Sequence, residues 1–239
     1  NPNLDNVILL PKEKWRTNFK NNKLESLKEA QRFFIDLKAE YDFDLALDVH
    51  GLFKSAFSAY LSGADRIVGA ADGGEGSTLF YDHKIELPTE EMHQIDRNLH
   101  LAQAVGAEVE EVEMAITVSE VVENRVEHLL TDLEIDRSEQ LIAINPFSSW
   151  ECKDECKDDL FIGCDTGPMH LAVAQGAPCV VLMGPTNPKT HGPYGAEHIV
   201  LQSDLDCKNC WERECPKGER LCMKEITVEQ VFGAVSRKL

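Results

Sequence analysis

The sequence predicts an α/β protein built on mostly parallel sheet. Short apolar runs, among them Leu45–Val49, Leu141–Asn145, Leu160–Gly163 and Pro178–Met183, read as buried strands. They alternate along the chain with amphipathic stretches at helical spacing, the signature of strand–helix–strand units. The 239 residues suffice for two domains of ordinary size. No internal repeat is visible.

In order, residues 1–5 are polar, and Val7–Leu10 reads as a strand closed by Pro11. Leu24 to Tyr41 is an amphipathic helix, with Leu24, Leu27, Ala30, Phe33, Phe34 and Leu37 on one face. The strand Leu45–Val49 runs into Asp48-Val49-His50-Gly51-Leu52-Phe53-Lys54-Ser55-Ala56 and a helix to Leu61. Arg66 to Gly69 begins a strand, and Asp72 to Ser77 is a glycine-rich loop. Helices follow at His93–Val105, ended by Gly106, and at Val118–Leu133. The polar stretch Glu134–Gln140 reads as a linker, dividing a domain over 1–138 from one over 139–239. The last helix, 227–239, carries Val228, Val231, Phe232 and Val235 on one face and is free to pack back on the first domain.

The chain is organised around Phe161 to Gly176. Its strand ends at Gly163, and Asp165-Thr166-Gly167-Pro168 then starts a helix, with Asp or Thr as N-cap and Pro in the first turn. Gly176 fits the end of that short helix. Bared N–H groups and a partial positive charge at such a start suit phosphate. The turn Gly184-Pro185-Thr186, after the next strand, falls on the same rim of a parallel sheet, where such sheets bind ligands.

Bulk properties narrow the functions. Apolar content of 43% and charged content of 28% are those of a soluble globular protein. There is no run of eighteen apolar residues and no signal-peptide pattern, which points to the cytoplasm. A net charge of -18, from 24 Lys+Arg against 42 Asp+Glu, argues against nucleic acid and against adhesion to an anionic membrane. It leaves room for a local basic pocket.

Asp165-Thr166-Gly167-Pro168-Met169-His170-Leu171-Ala172, Gly184-Pro185-Thr186-Asn187-Pro188 and Gly192-Pro193-Tyr194-Gly195 together resemble the signature of glycosyltransferase family 9, the ADP-heptose:lipopolysaccharide heptosyltransferases. The first half resembles the family at Asp48, Gly51, Leu52, Lys54, Ser55, Ala56, Arg66, Gly69, His93 and Arg97. It departs at His50, where the family more often has Gln. The resemblance implies the GT-B architecture: two doubly wound Rossmann-like domains facing a cleft.

It also implies a metal-independent transferase that needs no cofactor. The substrates would be ADP-L-glycero-D-manno-heptose and the lipopolysaccharide inner core. The enzyme would be cytoplasmic, with peripheral contact at the inner membrane as an option. Such transfer builds negative charge on a departing diphosphate and takes a proton from the acceptor hydroxyl. By the resemblance, the donor side comprises Ser148, Ser149, Lys153, Asp165, Thr166, Gly167 and His170, with Lys157 as an alternative to Lys153. Lys54, His93 and Arg97 are acceptor-side candidates. The family's acidic base lies in a loop upstream of Asn1, so no catalytic residue is assigned.

The family pattern and the length of a parallel crossover lead to one further expectation. Such a crossover needs about a dozen residues or more, usually a helix. Residues 147–157 have no apolar face to make one. The polypeptide is therefore expected to be incomplete at its start and between Lys153 and Asp159.

Eight cysteines do not form a secreted framework. Cys164 and Cys179 read as core thiols. Cys207-x2-Cys210-x4-Cys215-x6-Cys222 is open to a structural metal, free thiols or disulfides, and the reading adopted is no metal. Besides heptosyl transfer, a family 9 enzyme with another donor, a GT-B nucleotide-sugar epimerase and a metal-bound scaffold remain alternatives.

Overall fold

The computed structural model describes residues 4–89, 91–109, 112, 114, 116–135, 140–145 and 159–239. The chain divides into two compact units, one of residues 3–90 and 96–110, the other chiefly of residues 91–95 and 111–239. Each has its own parallel sheet.

The first unit opens with two helices, α1 (Lys12–Asn21) and α2 (Lys23–Glu40), hinged at Asn22, whose side chain caps α2 by accepting from the Glu25 amide. Trp15, Phe33 and Phe34 join them through edge-on ring contacts. Residues 7–10, expected as a strand, are exposed coil. No strand among the described residues pairs with them, so their apolar side chains gain no sheet to cover. Strands β1 (Leu45–Asp48), β2 (Arg66–Ala70) and β3 (His83–Ile85) then lie side by side in chain order, with Leu45 opposite Arg66 and Val68 opposite His83.

Both faces of this sheet are covered, which is why its strands read as near-continuous apolar runs. Helix α3 (Phe53–Ser62) supplies Ala56 to one face, against Ile67 and Tyr81. Helix α4 (Gln94–Ala104) supplies Leu101 to the other, against Val68, Ala70 and Ile85.

Asp48, at the end of β1, is 5% exposed and fully engaged. One carboxylate oxygen accepts the amides of His50 (3.0 Å) and Gly51 (3.1 Å). The other accepts the hydroxyls of Ser55 (2.9 Å) and Tyr81 (2.7 Å). Tyr81 reaches it by lying across Gly69, where any Cβ would collide with the ring. Burial pushes the Tyr81 phenol up to about 12, a bond to Ser77 opposing and Asp48 adding to the rise.

The second unit holds α5 (Glu120–Asp132) and β4 (Ile142–Asn145), β5 (Leu160–Cys164), β6 (Cys179–Met183) and β7 (Ile199–Gln202), all parallel and in chain order. Helix α6 (Gly167–Ala174) buries Met169, Ala172 and Val173 against one face, with Phe161, Cys179 and Val181. On the other face the last helix, α9 (Val228–Val235), sets Ala234 and Val235 against Leu160, Val180 and Ile199. Thr227 caps α9 in a reciprocal box with Gln230. Cys179 is a core thiol, and burial pushes it up to about 12. Among the described residues no helix is long and apolar enough to cross a membrane.

Asp48→Ala strands a buried phenol and two turn amides, and is expected to cost about 2–3 kcal/mol in urea unfolding. Tyr81→Phe, which leaves the carboxylate three donors, should cost about 1 kcal/mol. Equal costs for the two variants would refute this account of the turn.

Candidate functional site

The site is built where β5 gives way to α6. Thr166 is the N-cap, with extended backbone, but its hydroxyl donates back to the Cys164 carbonyl at 3.3 Å and does not cap the helix. The first turn closes through Met169 N–H to the Thr166 carbonyl at 3.0 Å. A Cβ placed on Gly167 would meet nothing within 4 Å. The helix start is thus backed by the buried Met169 and open in front, the geometry that receives an anion.

Asp165 stands beside this opening, its side chain 16% exposed. His170 Nε2 lies 3.7 Å from Asp165 Oδ1. Burial alone would raise the carboxyl's pKa. The polar groups of His170 and Thr186 beside it, and the proximity of the His170 and His191 rings, outweigh burial and hold the group below its ordinary range. Asp165 is therefore ionised at neutral pH.

Thr186 is positioned from β7. The Gln202 side-chain amide donates to the carbonyls of Gly184 (3.2 Å) and Thr186 (3.0 Å) and to Asn209 Oδ1 (2.9 Å). This fixes the turn after β6. Asn187 then caps the single-turn helix α7 (Pro188–His191), accepting the Lys189 amide at 3.0 Å, with Pro188 in the first position.

His191 ends α7, with Nδ1 2.9 Å from Thr190 Oγ1 and its ring edge-on to Trp211 at 4.7 Å. Burial lowers its pKa below the ordinary 6.5, His93 and His170 adding to the fall and Asp165 opposing it. His93 joins this group: its Nδ1 accepts the Ile95 amide, so Nε2 carries the proton and donates to the Gly192 carbonyl at 3.1 Å. Its ring packs on Tyr194 at 4.9 Å.

Of the residues picked from the sequence, Asp165, Thr166, Gly167 and His170 come together here. Ser148, Ser149 and Lys153, with the alternative Lys157, lie outside the described residues. Lys54 is exposed at the start of α3. Arg97 is clamped by Asp72 through two bonds of 2.7 and 2.6 Å. Sequence reasoning does not reach Thr186 and His191 as site residues. Their only sequence signal is the turn Gly184-Pro185-Thr186 on the rim that Asp165 occupies.

Two parallel α/β units are what a GT-B-type fold is made of, and solved structures place the chain in that fold class. The glycosyl transferase family 9 protein of Veillonella parvula matches with a TM-score of 0.68 at 18% identity, over 91% of this chain and 79% of that one. The ADP-bound heptosyltransferase WaaC of E. coli matches with a TM-score of 0.60 at 18% identity, over 98% and 84%. The family model for glycosyltransferase family 9 (heptosyltransferase) matches residues 31–155 and 156–220, two stretches that abut between Lys153 and Asp159. The chain belongs to glycosyltransferase family 9. Over 82 residues it is 35% identical to lipooligosaccharide heptosyltransferase 2 of Campylobacter jejuni (serotype O:2), a stretch that is 34% of this chain and 26% of that protein.

The histidine cluster predicts a specific response. In an NMR titration His191 should protonate with a midpoint below 6.5, so its neutral form dominates at that pH. Asp165→Asn should move the midpoint lower still, because Asp165 is the neighbour that favours the charged ring. A rise in that variant would refute the arrangement.

Proposed function

We propose that this chain transfers heptose from ADP-L-glycero-D-manno-heptose to the inner core of lipopolysaccharide. One observation carries the reading: an uncapped helix start, open at Gly167, stands beside an ionised Asp165. The amides of the helix start receive the donor's diphosphate and stabilise the charge that grows on it as the sugar–oxygen bond breaks. Asp165, a pure acceptor when ionised, takes hydrogen bonds from sugar hydroxyls and so orients the sugar beside its leaving group. His170 and His191 on its flank favour the ionised carboxylate.

Ser148, Ser149 and Lys153 are assigned to the phosphates on the family pattern. On the acceptor side we assign Lys54, which is exposed. Arg97 and His93 would have to exchange Asp72 and Gly192 for an acceptor group. The arrangement needs no metal at the transferred bond. Its work would lie at the cytoplasmic face of the inner membrane. The ADP in WaaC, a relative in fold, supports a nucleotide diphosphate as ligand.

ADP should raise the thermal unfolding temperature of the chain. Gly167→Ala, whose Cβ meets nothing within 4 Å, should weaken that rise without lowering the ligand-free value. Asp165→Ala should reduce heptosyl transfer by at least about 100-fold with an unchanged circular dichroism spectrum. Release of free heptose at the same rate with and without acceptor would replace transfer by hydrolysis or epimerisation. Undiminished transfer by Asp165→Ala would remove that residue from the site.

A further inference from the structure

Residues 203–220, between β7 and α8 (Leu221–Lys224), form no helix or strand, and from Asp204 to Arg220 none of them is buried. Loops of this length without structure of their own are uncommon and need a reason to persist. This one is also strained. Asn209, Trp211 and Arg220, three of the five non-glycine residues with positive φ among the described residues, lie in it. An apolar core does not hold such a segment, so a staple is required.

The staple is at hand. Cys207, Cys210, Cys215 and Cys222 all line one cavity of about 160 Å³. Cys222 lies within electrostatic reach of the other three sulfurs. The chain after Cys215 folds back so that the backbone N–H groups of Lys217, Gly218, Glu219 and Arg220 approach its sulfur. Gly218, at φ 73, permits the turn. Amides aimed at a sulfur suit an anionic thiolate and are wasted on a neutral disulfide. Arg213, Lys217 and Arg220 border the same cavity against one carboxylate, Glu212, and so offset part of the negative charge that four thiolates bring.

We propose that Cys207, Cys210, Cys215 and Cys222 bind one Zn²⁺ as a structural, all-thiolate site. Zinc takes four cysteines tetrahedrally and supplies folding energy to segments that lack a core. Among the described residues no three His, Cys, Asp or Glu side chains already stand close enough to hold an ion. The proposed ion would have to draw the four sulfurs inward, as happens where metal binding and folding are one process. This departs from the metal-free reading of the sequence and is independent of the proposed transfer reaction.

The loop is tied to the site already described. Trp211 N–H donates to the Pro185 carbonyl at 2.9 Å, and its ring meets His191. Asn209 shares the Gln202 amide with Thr186. Zinc here would buttress the turn that carries Thr186 without touching the reacting atoms.

The test uses protein purified without chelators in reducing buffer. One zinc per chain by elemental analysis is expected. Exchange with Co²⁺ should produce the charge-transfer and ligand-field absorption of tetrahedral thiolate. Cys210→Ser and Cys215→Ser should each weaken zinc binding by more than about 100-fold, and chelation of the wild-type protein should lower its unfolding temperature. If a variant fails to fold, the wild-type Co²⁺ spectrum still decides. Four free thiols with no Co²⁺ absorption, or an intact mass showing disulfides between these cysteines, would overturn the proposal.

Discussion

A carboxylate at the carboxyl end of a parallel strand has to find donors, and the way each unit meets that demand sets what the unit can do. Asp48 at the end of β1 has four donors from its own chain, two amides and two hydroxyls. It is spent on holding its turn. Asp165 follows β5 at the equivalent place, with His170 and Thr186 as neighbours and an uncapped helix start beside it. The same residue type after a parallel strand is buried and fully engaged in one unit and stands beside an open helix start in the other. The difference lies in what surrounds it: a buried Tyr81 brought down over Gly69 in the first case, a vacant approach over Gly167 in the second.

Much of the scaffold is legible because its strands are covered on both faces. Continuous apolar runs such as Cys179–Met183 have no other stable environment, and Pro168 and Gly176 mark the ends of α6. Val7–Leu10 has the same composition and misleads, because a strand also needs a neighbour to pair with, and pairing is not local information. The short strands β3 and β7 escape notice for the converse reason: His83–Ile85 carries two exposed residues, and all of Ile199–Gln202 is half-buried.

The site divides along similar lines. Asp165, Thr166 and Gly167 are contiguous, and a capped helix after a strand can be seen in one dimension. Thr186 and His191 enter through Gln202 and through Trp211, 16 and 20 residues further along the chain. No periodicity carries such an arrangement. Arg97 shows that a charge is read from the sequence without its partner: Asp72 bonds both arms of its guanidinium.

Helix α6 has eight residues, and its two long sides have different duties. Met169, Ala172 and Val173 are sunk into the sheet while His170 is turned toward Asp165. Each added or deleted residue would rotate the remainder of the helix by about 100°. A one-residue insertion would drive His170 toward the core and expel Met169. The length of this crossover is therefore set by three packed side chains and the reach of a fourth, and changing it would unseat the helix before any residue of the site had been altered.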